Sequence, residues 1–346
     1  KQANVLRQFA RLHQIKHFYE VGRTGIEHCF VPEQGLVVPG DLMIGADSHT
    51  CTMGALGAFA TGVGSTDAAV GMAAGKLWLR VPESIRFIVT GTPENPWVSA
   101  KDYMLHILSL IGVDGAQYKA MELTGDAIER LTMSGRMTMT NMAIEAGAKN
   151  GIIPPDETTI QYVRKRAKRP WRLYESDPGA AYGETIEIDV TNLEPVVACP
   201  SLPSNGVPVS QVGFVPLDQV VIGSCTNGSI EDLEIAATIL QGKKIHPSLR
   251  VIILPGSREV YREALTKGLM DIFIDSECIV SPPTCGPCFG GHMGVLDQGE
   301  VALSTTNRNF VGRMGHVDSQ VYLSNVAVAA ASAIKGCIAN PEEVMK

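Results

Sequence analysis

The last third of the chain constrains the fold most, because strand and helix patterns alternate there with short connections. Gln219–Gly223 reads as a strand, and Ser229 with Asp232 makes a capping-box-like start to a helix over Ile230–Leu240. Leu249–Leu254 is the next strand, then a helix over Arg258–Lys267 closed by Gly268. Cys278–Ser281 is a third strand and Val301–Ser304 a fourth. Such alternation calls for right-handed crossovers and a parallel sheet. The residues with chemistry fall just past the strand ends: Cys225 after the first, Cys285 after the third, Asn307 and Arg308 after the fourth. Open parallel sheets bind ligands beyond the carboxyl ends of their strands, so this edge is the expected site.

Cys285 and Cys288 lie in Pro282-Pro283-Thr284-Cys285-Gly286-Pro287-Cys288-Phe289-Gly290-Gly291-His292, a loop too rich in Gly and Pro for a helix or strand interior. With Cys225 they make three thiols, and three readings are open. A cubane iron–sulfur cluster with three protein ligands leaves one iron for substrate. A structural zinc would take His292 as its fourth ligand. The third reading is buried cysteines without metal. Gly286 and Pro287 favour a stiff loop whose amides can donate to sulfur.

A length of 346 residues calls for two or three domains, and 45% hydrophobic against 19% charged residues describes a globular chain with an aliphatic core. The net charge of −7 argues against nucleic acid or an anionic membrane as partner. No apolar run approaches the roughly 20 residues that span a bilayer. No signal peptide is visible, although the chain opens at Lys1. The eight scattered cysteines are expected to stay reduced, which places the protein in the cytoplasm.

Three units are expected, 1–82, 83–215 and 216–346. In the first, a helix covers Val5–Gln14 and a strand at Asp41–Gly45 delivers Asp47-Ser48-His49. The small residues of Gly54–Gly75 read as a close-packed helix. The second unit has strands at Arg86–Thr90 and Ala120–Leu123, and a helix capped by Ser99 that runs to Gly112. Its second helix, Met137–Ala146, puts Asn141 and Glu145 on one face. Thr185–Val190 and Pro195–Cys199 read as extended and Pro200–Pro208 as a linker. The basic run Tyr162–Arg172 suits either RNA or a solvated helix end. Asp47 could fix the tautomer of an acid–base His49, or the pair could be a polar turn. His28 alone reads as a core histidine. Arg308 and Arg313 in one Gly-containing loop suit a bidentate grip on carboxylates.

Taken together, Gly45-Ala46-Asp47-Ser48-His49-Thr50, Gly223-Ser224-Cys225-Thr226-Asn227, Thr284-Cys285-Gly286-Pro287-Cys288 and Ser304-Thr305-Thr306-Asn307-Arg308-Asn309-Phe310 carry a resemblance over essentially the whole chain. The sequence resembles the aconitase superfamily, within it most closely the large subunits of the split branch that isomerise 2- and 3-isopropylmalate in leucine biosynthesis. A large subunit acting on homocitrate or another 2-hydroxy diacid is the alternative, and a non-catalytic RNA-binding or zinc-stabilised protein a further one.

The resemblance implies an α/β fold of three α/β/α units with mainly parallel sheets around a cluster cleft. It implies one [4Fe–4S] cluster per chain, held by Cys225, Cys285 and Cys288, with one labile iron. Asp47, His49, His28 and Glu145 would be catalytic, Arg308, Arg313 and Ser48 would bind substrate, and Asn141 and Asn307 would neighbour the cluster. The implied reaction is dehydration and rehydration through a cis-alkene. The family also has an upstream Asp-His motif, and this sequence opens downstream of its place, so one acid is expected to be missing. No swivelling fourth domain follows Asn340-Pro341-Glu342-Glu343, so a separate small subunit is expected to supply it, with its serine base. Thr140 stands where many relatives have cysteine.

Overall fold

A computed structural model describes residues 2–345. Its strands are β1 (Leu42–Gly45), β2 (Phe59–Gly62), β3 (Ser84–Thr90), β4 (Ala120–Thr124), β5 (Asn150–Ile152), β6 (Glu184–Asp189) and β7 (Val196–Ala198). They continue with β8 (Gly206–Pro208), β9 (Gln219–Gly223), β10 (Arg250–Leu254), β11 (Ile279–Val280), β12 (Val301–Ser304) and β13 (Gln320–Leu323). These make a two-stranded parallel sheet β1-β2, a four-stranded parallel sheet β5-β4-β3-β6, and a seven-stranded sheet β11-β10-β9-β12-β13-β7-β8. In the last, β11 to β13 run parallel, while β7 and β8 join antiparallel at one edge.

Period-two alternation explains why the large sheet is buried on both faces. Val221, Ile252, Leu254, Ala302 and Val321 face a core shared with Phe87, Met121 and Leu123 of the four-stranded sheet. Val220, Ile222, Val251, Ile253 and Leu303 face the helices Ile230–Leu240 and Val326–Lys335. Helix starts follow their capping residues. Ser99–Asp102 and Ser229–Asp232 both form reciprocal capping boxes, opening the helices Ala100–Ile111 and Ile230–Leu240.

Several expected elements differ. Gly54–Gly75 is not one helix: a 3₁₀ helix Ser48–Leu56 stops at left-handed Gly57, β2 follows, and the helix Ser65–Ala74 buries none of its residues. Small residues there fit a strand as well as a helix. Pro200–Pro208 is not simply a linker, because β8 pairs with β7. The helix at Met137–Ala146 begins at Met133 as an α-helix and becomes 3₁₀ at Met142. A second helix, Leu269–Asp275, follows Gly268, and β13 with the helix Val326–Lys335 completes the sheet. No helix among the described residues is long and apolar enough to cross a membrane.

Candidate active site

The turn after β9 is built around Gly223. Its φ is 124°, and a Cβ there would lie 2.0 Å from the Leu254 carbonyl oxygen, so only glycine fits. Ser224 follows with φ 76°, an uncommon left-handed value for a residue with a side chain. The chain reverses and presents Cys225 at the end of the sheet. Past β11, Cys285 precedes a single 3₁₀ turn, Gly286–Phe289, whose first residue is left-handed and whose Cys288 amide donates to the Cys285 carbonyl at 3.0 Å. All eight cysteines are unpaired.

Two asparagines join Cys225 to Cys288. Asn141 Nδ2 donates to Cys225 Sγ at 3.4 Å and to Thr52 Oγ1 at 2.9 Å. Asn307 Nδ2 donates to Asn141 Oδ1 at 3.1 Å and lies 3.5 Å from Cys225 Sγ, while its Oδ1 accepts from Cys288 Sγ at 3.6 Å. Burial pushes the Cys225 thiol up to about 11 and the Cys285 thiol up to about 12, and in each case a neighbouring thiol of the trio adds to the rise.

The sulfurs are not spaced for one ion. Two sulfurs that each bind zinc at ~2.3 Å are at most about 4.6 Å apart. Among the described residues, the one set of three ligand-type side chains whose donor atoms lie within 4.8 Å of one another is His28, Asp47 and His49. His292, the fourth ligand of the zinc reading, is exposed and turned to Thr284 Oγ1 at 2.9 Å. Three thiols that do not all lie within 4.8 Å of one another, with side-chain amide donors at Cys225, fit a polynuclear centre.

Beside the thiols runs a relay of charged groups. Asp47 caps the 3₁₀ helix Ser48–Leu56 by accepting from the His49 amide at 2.8 Å. Its Oδ1 also meets His28 Nε2 at 2.9 Å and His49 Nδ1 at 3.4 Å. The His28 imidazole first, and His49 after it, hold the Asp47 carboxyl far below the usual carboxylate range. His49 Nε2 reaches Glu145 Oε1 at 2.9 Å. Glu145, buried, accepts from Arg308 Nε at 2.7 and 3.0 Å, and Arg308 Nη1 donates to Ser48 Oγ at 3.3 Å. Arg313 Nε is buried and has no hydrogen-bond partner among the described residues. His28 and Cys225 line a cavity of about 280 Å³ with Cys29, Glu33 and Tyr162. A groove of about 840 Å³ lined by apolar Leu42, Phe59, Met72 and Val81 also takes in Gly45 and Ala46, next to Asp47.

Comparison with known proteins adds the lineage. The sequence profile of the aconitase family (aconitate hydratase) matches residues 1–214 and 212–336. The chain belongs to the aconitase family. A 3-isopropylmalate dehydratase large subunit from Syntrophus aciditrophicus is 63% identical over 343 residues, covering 99% of this chain and 81% of the relative. The Pyrococcus furiosus protein named 3-isopropylmalate dehydratase large subunit 1 is 59% identical over 348 residues, covering 100% and 82%. Among solved structures, the holo-form of Thermococcus kodakaraensis aconitase X aligns at a TM-score of 0.47 and 14% identity, over 83% of this chain and 68% of that one.

Within this aconitase-family chain the three cysteines, Asn141 and Asn307 make the thiol group and His28, Asp47, Ser48, His49, Glu145 and Arg308 the relay, whereas Arg313 joins neither and His292 is exposed. The basic run is engaged internally: Arg166 stacks on Tyr162, Arg172 on Tyr174, and Arg169 pairs with Asp41. Two participants escaped sequence reading. Thr226 Oγ1 holds Asn141 Oδ1 at 3.3 Å. Lys101, fully buried, meets the backbone of the Asn307 loop. Its one signal is a cation in the first turn of a helix, where the macrodipole disfavours it.

Proposed function

We propose that this chain is the large subunit of a two-chain hydro-lyase that interconverts 2- and 3-isopropylmalate by losing and regaining water, in leucine biosynthesis. The names of its relatives support the substrate. The observation that carries the reading is the unbroken relay Asp47–His49–Glu145–Arg308 set against the Asn141–Asn307 bridge to Cys225 and Cys288. The three units 1–82, 83–215 and 216–346 meet there, with β7 and β8 lent by the middle unit to the sheet of the last.

Cys225, Cys285 and Cys288 would hold a [4Fe–4S] cluster, which members of this family use. When bound, it supplies a Lewis-acidic labile iron, free of protein ligands, for the substrate hydroxyl and a carboxylate oxygen. Asn141 and Asn307 orient and hydrogen-bond the thiolates. Arg313 and the free edge of Arg308 take substrate carboxylates, Ser48 fixing the Arg308 guanidinium. These cations offset the charge that builds on the enolate-like carboxylate when its alpha proton is removed. His49 links the Asp47 and Glu145 carboxylates through its two ring nitrogens, so a proton can pass along this relay toward the departing hydroxyl, which leaves as water. Asp47 holds His28 and His49 in orientation. A small subunit would bring a swivelling domain with the base that takes the alpha proton. The unpaired cysteines accord with a reducing cytoplasm.

The test combines the anaerobically reconstituted chain with its small subunit and compares turnover of isopropylmalate, homocitrate and citrate. Isopropylmalate is expected to be used best. Equal or better turnover of homocitrate would overturn the substrate.

A further inference from the structure

Lys101 is buried completely, in the first turn of the helix Ala100–Ile111. A cation there opposes the helix dipole and loses its hydration, two costs that its contacts must offset. Its Nζ has no carboxylate within ion-pair distance among the described residues. Instead it donates to the Thr305 carbonyl at 2.8 Å and the Thr306 carbonyl at 2.6 Å. The adjacent Asp102 turns elsewhere, accepting from Ser99, the Val196 amide and Asn325.

Those two carbonyls belong to the residues immediately before Asn307 and Arg308. The Thr305 side chain is held as well, its Oγ1 accepting at 2.8 Å from the amide of Gly223, two residues before Cys225. Lys101 therefore joins a helix of the middle unit to the loop whose Asn307 spans two thiols and whose Arg308 meets Glu145. Burial pulls its ammonium down to about 8.

We infer that Lys101 is a positioning residue of the thiol centre. Through the Thr305 and Thr306 carbonyls it sets Asn307 between Cys225 and Cys288, and its positive charge offsets the negative charge of the metal-loaded thiolates. This rests on the cluster reading above. Net charge and hydrogen bonds to sulfur set the reduction potential of such a cluster, so the role has a readout independent of turnover.

The experiment reconstitutes wild type, Lys101→Met, Lys101→Gln and the surface control Lys244→Met. It records far-UV circular dichroism of each metal-free chain, the reduction potential of each loaded chain, and the rate of iron loss to a chelator. Both Lys101 variants are expected to fold, to shift the potential to more negative values, and to lose iron about tenfold faster, while Lys244→Met follows wild type. If wild type takes up no iron and sulfide, the cluster reading fails. If wild type loads and the Lys101 variants match it in potential and iron loss, the Lys101 inference fails while the cluster reading stands. Failure of both variants to fold would make Lys101 a purely structural residue and would also overturn the inference.

Discussion

Asp47 serves two imidazoles at once, and its carboxylate stays ionised because His28 and His49 both hydrogen-bond the charged form. Stability from that bonding is present above the ordinary aspartate pKa and is lost only in strong acid. Glu33 behaves in the opposite sense. Burial, with a smaller push from Glu259, raises its pKa to about 7, although Ser257 donates to its Oε1 at 2.6 Å and Arg166 opposes the rise. Its other oxygen is buried without a partner. The folded state therefore holds a proton that the unfolded state has lost between about pH 4.5 and 7. The stability this group contributes is full below that window and declines as pH rises through it. Glu33→Gln should remove that decline, so its melting temperature falls less than that of wild type between pH 5 and pH 8. Parallel melting curves for the two proteins would refute the assignment.

The helix Met133–Asn141 carries Asn141 to the thiols, and its anchor is Arg136. That guanidinium is fully buried, pairs bidentately with Asp156 at 2.6 and 2.5 Å, and also donates to the Leu131 and Glu129 carbonyls. Arg136→Met leaves those acceptors unpaired. We expect a loss of about 3 kcal/mol in urea unfolding, at the low end for a broken buried pair because Asp156 stays partly hydrated. A loss under about 1 kcal/mol would show that the helix is held by packing alone. Elements with local signals were legible in the sequence: Ser99 as an N-cap and Ser229 with Asp232 as a capping box announce helix starts, and the structure adds Asp102 as the partner of Ser99. The helix Val326–Lys335 was not read, because a run of alanines and valines buried nearly all round has no amphipathic period. β2 hid among alanine and glycine for a related reason, since small residues suit either conformation.

Across the whole molecule, the candidate residues were visible as motifs at strand ends, but their pairings were not. His49 meets Glu145 96 positions away, and Glu145 meets Arg308 163 positions away, so only the fold reveals the relay. Lys101 was invisible for the same reason, since nothing local says that a lysine will be buried 204 residues from the carbonyl it holds. The parallel sheet was legible because its period-two pattern and short connections are local, and it places Cys225, Cys285 and Asn307 at one edge. Whether that edge holds a polynuclear centre is decided by iron and acid-labile sulfide analysis after anaerobic reconstitution, comparing wild type with Cys225→Ser, Cys285→Ser and Cys288→Ser, and with Cys337→Ser as control. The account predicts about four irons and four sulfides per wild-type and Cys337→Ser chain, as a cubane requires, and loss of the cluster in the other three. About one zinc and no sulfide per wild-type chain, or undiminished loading in the three variants, would contradict it.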